Sequence, residues 1–425
     1  MNNRFKSSCF LLCLFLPFLM AGILGCATVS PHSPSAPIQQ ALVYEPPIGS
    51  QIVDLAVSSD ATRWMAREKG ADGRWRMVVD AEAQPWFEAV DFPPLPHRAF
   101  SPDNSSWVYQ AGENGQALLF YDGFSVLPCQ QIAFAGFADP GVSFSCKDED
   151  GYWSVRAWIA GGKLNEDDSG PYEPPFKAFQ SGRVVASLTS HPAAVFEGPD
   201  FSVTLPFAAL AITHDTVFTA PDYLVAGFGP ENGLAFFGAK DGLPGALNAF
   251  AVFVPWDNIE QVGIIPFTDI EGLTAHPVLG PDATRLAFAA KTDDKVRVFL
   301  ADVKNNSFGA DPVFDEVQGL VFSPVGGDAA YAVRTNEGWK AFYRGQKGPA
   351  CSSIKDICFS ADGLRLAWLG KIENSWSLFV DGNEIVGGFS TASGPAFAAD
   401  SRSLSFYAVK EASVFRVTIS NPSVP

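Results

Sequence analysis

One pattern recurs along this chain and limits what it can fold into: an apolar strand running into a Ser/Pro/Asp turn, an alternating strand, a polar turn, and a second alternating strand. The clearest copies are Phe100-Ser101-Pro102-Asp103 ahead of Trp107-Val108-Tyr109, and Phe359-Ser360-Ala361-Asp362-Gly363 ahead of Leu364-Arg365-Leu366-Ala367-Trp368. Others start at Val57, Leu279, Phe322 and Phe397, with weaker ones near Phe137, Phe179 and Phe218. The nine starts are 43, 37, 42, 39, 61, 43, 37 and 38 residues apart, and the long interval predicts an insertion between Asp241 and Glu271. A unit of this length cannot bury an apolar face alone, so successive units must pack on one another.

Within a unit the apolar residues alternate with period two, as in Val296-Arg297-Val298-Phe299-Leu300 and Ser377-Leu378-Phe379-Val380. Asp, Gly and Asn gather where the backbone must reverse, which predicts short antiparallel strands. The second hairpin arm repeatedly opens on tryptophan, at Trp75, Trp153, Trp339 and Trp376, and such a set is expected to pack between neighbouring sheets. These arms end in small turns, Tyr121-Asp122-Gly123, Val380-Asp381-Gly382 and Ala301-Asp302. The turn acids in Ser58-x-Asp60-x-Thr62 and Ser101-x-Asp103-x-Ser105 resemble the Asp-box of sialidases without its glycine, and are expected to cap turn N–H groups.

The Phe-Ser-Pro-Asp-Gly turn, the Leu-Arg-Leu-Ala-Trp strand and the later Asp-Gly turn resemble the TolB-like and WD40-like (PD40-type) β-propeller repeats of bacterial envelope proteins. The resemblance spans residues 41–420, is strong at Phe100, Leu279, Phe322 and Phe359, and is weak from 141 to 275. It implies an all-β chain folded as a single closed β-propeller of eight or nine four-stranded blades over residues 41–425. The last repeat, Phe397 to Ile419, supplies three strands, and Ala41-Leu42-Val43-Tyr44 is expected to add the fourth and close the ring.

Ahead of the repeats, Arg4 and Lys6 precede an apolar run from Cys9 to Met20, too short to span a membrane and built like a secretory signal. Its end, Ile23-Leu24-Gly25-Cys26, resembles the bacterial lipobox, which implies removal of residues 1–25 and diacylation of the Cys26 sulfur. Residues 26–40 are then a Ser/Pro-rich tether, in which His32 is a solvated linker residue. Ala27, where Asp would retain such a protein at the inner membrane, points to the outer membrane facing the periplasm. The chain carries 46 acidic against 29 basic residues, a net charge of −17, and no Lys/Arg run. This composition argues against a nucleic-acid partner.

Candidate chemistry is sparse. There is no Gly-x-Ser-x-Gly elbow, and His97, His191, His214 and His276 stand singly, so no metal or cofactor is expected. Two acidic clusters read as a hairpin turn (Lys147 to Gly151) and a solvated loop (Asn165 to Gly170), with spacing unlike a helix-loop-helix calcium site. Cys129, Cys146, Cys351 and Cys358 form an even set in an oxidising compartment; the pairs expected are Cys351 with Cys358 and Cys129 with Cys146. The functional expectation is a lipid-anchored scaffold binding an envelope protein or glycan. The alternative is an envelope enzyme acting on glycan or peptide through acids converging in the channel.

Overall fold

Apolar residues alternating along the second and third strands of each unit need neighbours on both faces, and the structure supplies them sheet by sheet. The computed structural model describes residues 37–422, apart from 93–98, 139–140, 173–176, 182–183, 189–192, 199–200, 207–222, 230–232, 242–246, 256–262, 282–283 and isolated positions; from 167 to 250 it describes backbone only. Residues Ala36–Val424 form one compact unit. Among the described residues the regular structure is all strand, arranged as nine four-stranded antiparallel sheets. In the first eight, four consecutive strands pair in chain order. Sheet one, for instance, is Gln51–Val57, Trp64–Lys69, Trp75–Val79 and Glu82–Ala83.

The ninth sheet is composite. Thr391–Phe397, Ser403–Lys410 and Ser413–Ser420 are completed by Ile38–Tyr44, whose Ile38, Ala41 and Leu42 stand opposite Ile419, Arg416 and Phe415. The strand begins at Ile38, so three residues assigned to the tether belong to the sheet. Pairing the two chain ends covers the edge that Ser413–Ser420 would otherwise leave open.

From sheet three through sheet nine and on to sheet one, first strands of successive sheets pack on one another, which places them at the inner edge. Six of the nine expected starts, Val57, Leu279, Phe322, Phe359, Phe397 and, through its bridge to Trp107, Phe100, close an inner strand. Phe218 lies outside the described residues, and the inner strand of sheet five is Tyr223–Gly229. No insertion separates sheets five and six. The interval from Asp241 to Glu271 holds the third and fourth strands of sheet five, Leu247–Pro255 and Gly263–Ile270. The acidic run at Asn165 is strand as well, within Lys163–Tyr172 and paired with Tyr152–Ala160, whereas of the run at Lys147 the residues Asp148, Asp150 and Gly151 lie outside the described residues.

The core lies between sheets. One cluster joins Met65, Met77 and Val79 of sheet one to Phe87, Tyr109 and Phe120 at sheet two. Another joins Leu369, Leu378 and Val380 of sheet eight to Leu404, Phe406 and Val417 of sheet nine. A third joins Leu55, Val57 and Trp64 of sheet one to Tyr407, Val409 and Val414 of sheet nine, so the first and last sheets share a core. Each fully buried Leu, Val or Phe contributes about 1.5–3 kcal/mol, so these clusters hold successive sheets together.

Candidate functional site

Turn side chains decide what either end of the sheets can present. Ser58 Oγ donates to Asp60 Oδ1 at 2.7 Å, and the same oxygen accepts the Thr62 N–H at 3.0 Å. Ser101, Asp103 and Ser105 repeat the arrangement at 2.6 Å and 3.1 Å, as do Ser360, Asp362 and Leu364. Hydrogen bonds from Ser101 and Ser105 hold the Asp103 carboxyl at about 2. At Asp60, burial works the other way, yet bonds from Thr62 and Ser58 still keep it below its ordinary value. These acids cap turns, as the sequence suggests, and the Oδ1 of each is committed within the frame.

A second device sits beside the first. Asp80 and Asp381, in the turns after the third strands, accept the N–H of Trp64 and Leu366 at 2.9 Å and 2.8 Å, pinning the start of the second strand. The same carboxylates pair with Arg63 and Arg365 at 2.8 Å and 3.2 Å. Sheet seven carries the pair reversed: Asp328 precedes the second strand and Arg344 occupies the turn, 2.6 Å away.

At the inner edge, sheets six to nine share a bulge in which two residues oppose one. His276-Pro277, Gly319-Leu320, Asp356-Ile357 and Gly394-Pro395 stand opposite Phe288, Tyr331, Trp368 and Phe406. The bulge needs a left-handed backbone, with φ of 67° at Gly319, 52° at Asp356 and 66° at Gly394. Asp356 uses this position to reach the next sheet, accepting Ser393 Oγ at 3.1 Å and the Gly394 N–H at 3.0 Å. Gln318 Nε2 likewise donates to the Ile354 carbonyl at 2.9 Å.

Three of the residues opposite the bulges, Phe288, Tyr331 and Trp368, form with Tyr109 of sheet two a series that the sequence reading misses. Tyr109 stacks on Phe120, Phe288 on Phe299, Tyr331 on Phe342 and Trp368 on Phe379, with ring centroids 4.8, 4.9, 5.1 and 5.5 Å apart. Each pair is directly opposed on the second and third strands. The available signal was an aromatic nine residues beyond the end of the inner strand, paired with another eleven further on.

The tryptophans do pack between sheets, and each meets a cation. Lys355 lies 4.7 Å over Trp376, Arg67 lies 5.4 Å over Trp75, and Arg334 lies 5.9 Å over Trp339. The side chain of Trp153 lies outside the described residues, as do His97, His191, His214, the side chain of His276, Cys26 and residues 1–36. Among the described residues no group of three or more His, Cys, Asp or Glu is placed to hold a metal ion.

Cys129 and Cys146 form a disulfide with Cα atoms 5.6 Å apart. Cys351 and Cys358, the other expected pair, do not; both thiols are free. Cys351 packs into the cluster between sheets seven and eight, whereas Cys358 packs against that between eight and nine, so they face opposite sides of one sheet. Seven residues of extended chain also span about 20 Å, far beyond the about 4.4–6.8 Å a disulfide allows. Burial pushes the Cys351 thiol up to about 11.

One buried ion pair was also missed. Glu68, with no exposed side-chain surface, meets Arg76 at 3.0 Å and accepts the Tyr44 hydroxyl at 2.7 Å, while Arg76 donates to the Tyr44 oxygen at 3.0 Å. Trp86 lies 4.4 Å from the guanidinium. Tyr44 belongs to the sheet-nine strand Ile38–Tyr44 and Glu68 to sheet one, so this network spans the seam between them.

No protein-family model matches the chain, and no curated protein matches it. Among solved structures, the chain is similar to the Dos1 propeller (9% identity, 90% of this chain and 94% of that one, TM-score 0.47). It is similar also to the β-propeller domain of the trilobed protease from Pyrococcus furiosus (9%, 79% and 98%, 0.41) and to TolB from Acinetobacter baumannii (9%, 65% and 78%, 0.31). These likenesses concern the fold alone.

Proposed function

We propose that the nine sheets are the blades of one closed β-propeller, sealed by the N-terminal strand, and that the protein is a lipid-anchored envelope scaffold binding a protein or glycan partner. Closure is supported by the core shared by sheets one and nine. It is supported also by Tyr407, whose hydroxyl donates to the Thr62 carbonyl at 3.3 Å and whose ring lies 5.9 Å from Trp64. The anchor rests on the lipobox-like Ile23 to Cys26 and the Ser/Pro tether, which would hold the propeller off the outer membrane on its periplasmic side.

The observation that carries the scaffold reading is how the turn side chains are used. Asp60, Asp103 and Asp362 bond within their turns, and Arg63 and Arg365 bond across them. A surface of turns so braced is preorganised, and a partner docking there loses little to ordering. The test is affinity capture of the tagged mature protein from crosslinked envelopes, with intact mass measured on the same sample and Cys26→Ser as comparison. A stoichiometric partner and a diacylated N-terminus are expected. Absence of any partner would overturn the scaffold reading, and an unmodified N-terminus would overturn the anchor.

A further inference from the structure

Among the described sheets, blade nine ends on an edge unlike the rest. Its outermost strand is Ile38–Tyr44, seven residues with no charge, proline or glycine. The other outer strands are guarded in the ways open edges usually are. Glu82–Ala83, Phe124–Ser125 and Gln346–Lys347 are two residues long, and Ser307–Ala310 is four. Phe201–Pro206 and Gly263–Ile270 contain proline. Lys163–Tyr172 carries Lys163 and three acids, and Asn383–Phe389 is bulged and carries Glu384.

Two hydrogen bonds fix which backbone groups of Ile38–Tyr44 are left over. The Ser420 N–H donates to the Pro37 carbonyl, and the Asn421 N–H to the Arg402 carbonyl. Antiparallel pairs alternate between bonded and unbonded, so Gln39 and Ala41 bond to Thr418 and Arg416, the residues opposite them. Ile38, Gln40 and Leu42 therefore turn their N–H and C=O groups outward, where among the described residues no strand meets them. Ile38 is 39% and Leu42 55% exposed. A bulge at Val43 ends the regular pairing, so the flat stretch is 38–42 and Gln40 is its centre.

A stretch symmetric about Gln40 fits a second copy of itself. Set antiparallel about a two-fold axis, Gln40 faces the partner's Gln40, and Ile38 faces the partner's Leu42. Each opposed pair exchanges two N–H···O bonds, and apolar side chain meets apolar side chain. Charge favours the same occupant. The chain carries a net charge of −17, so copies repel one another, but residues 27–44 hold no Asp, Glu, Lys or Arg. Two acidic bodies can touch here without opposing like charges. Each copy has one such strand, so pairing uses both edges and closes the assembly.

We propose that two copies of the chain join edge to edge through blade nine, forming one continuous eight-stranded sheet centred on Gln40. A five-residue edge buries far less than the roughly 1,200–2,000 Å² of a stable interface, so the dimer is weak in free solution. The lipid anchor proposed above would strengthen it by holding copies in one plane. The two Ile38 residues sit about 14 Å apart and tethers of residues 26–37 reach about 40 Å, so both copies can share a membrane.

The test is disulfide trapping of the full chain in envelopes, read on non-reducing denaturing gels. Gln40→Cys should give a cross-linked dimer under mild oxidation, because its Cα atoms would lie about 5.5 Å apart. Ile38→Cys and Leu42→Cys should each give none alone and should cross-link when produced together. In parallel, sedimentation of residues 27–425, which contain the whole compact unit, should show a concentration-dependent dimer. Gln40→Lys or Gln40→Glu should weaken it about fivefold, and mixing the two should restore it. Equal trapping at 38, 40 and 42, or a monomer at every concentration with no trapping at 40, would overturn the dimer. Gln40→Cys joined to a different protein would also overturn it and give the edge to a foreign strand. The scaffold reading is tested separately, since capture of an envelope partner does not depend on Gln40.

Discussion

Arg344 and Asp328 show how a repeat conserves an interaction while exchanging the residues that make it. Blades one and eight place arginine before the second strand and aspartate in the later turn; blade seven places them the other way round. Asp328→Arg alone should set two guanidinium groups together and lower the thermal midpoint. Adding Arg344→Asp should restore it, with a favourable coupling between the two positions in a double-mutant cycle. The turn carboxylates give a prediction in pH. Because hydrogen bonds from Ser101 and Ser105 depress Asp103 to about 2 in the folded chain, its contribution is present above its ordinary 3.8 and lost as pH falls toward about 2. Asp103→Asn should flatten the acid limb of a thermal-midpoint profile, and an unchanged limb would contradict the assignment. These turns were legible in the sequence because a short acid flanked by Ser or Thr has few other uses in a reversal. Glu68 and Arg76 were not: in an alternating strand, charged residues read as the solvent face, and what encloses them is Trp86 together with Tyr44, 24 residues before Glu68 on the strand that completes sheet nine.

At the scale of the strand and sheet, the cysteines show how a repeat position acquires a covalent use. Cys129 and Cys351 hold equivalent places, each bridged to the third strand of the preceding blade, and each followed by a residue whose N–H bonds to Lys147 or Lys371. The partner position in blade three is Cys146; in blade eight it is Gly370, where an added Cβ would lie 2.6 Å from the Cys351 sulfur. Gly370→Cys should therefore form a second bridge on oxidation, once the Phe379 ring yields, and add up to about 3 kcal/mol over the reduced form of the same variant. Mass mapping that finds position 370 unjoined to Cys351 would refute the equivalence. Sequence reading paired Cys351 with Cys358 because they are close in the chain, whereas strands set pairing by register and face. Similarly, the starts at Phe322, Phe359 and Phe397 were legible from their turn residues. Blade five was not, since its strands run from Tyr223 through an apolar stretch with no Ser-x-Asp turn to mark the inner strand.

For the whole molecule, the seam between blades nine and one depends on a short N-terminal strand and one buried polar network. Glu68→Gln would leave Arg76 without its buried acid and should cost about 3 kcal/mol, with faster amide exchange appearing first in Ile38–Tyr44. The Tyr44 hydroxyl, pushed up from 10.0 to about 12 by burial and by Glu68, supplies stability that is complete below its ordinary value and lost as pH rises through about 12. Tyr44→Phe should abolish the matching step in tyrosinate absorbance. The most direct test of the closed ring joins the chain ends. Leu42 and Phe415 face each other across the outermost strands of blade nine, so Leu42→Cys with Phe415→Cys should yield, under mild oxidation, a monomer with the peptides around positions 42 and 415 linked. Recovery of both as free thiols, or linked only between molecules, would contradict a ring sealed by its own N-terminal strand.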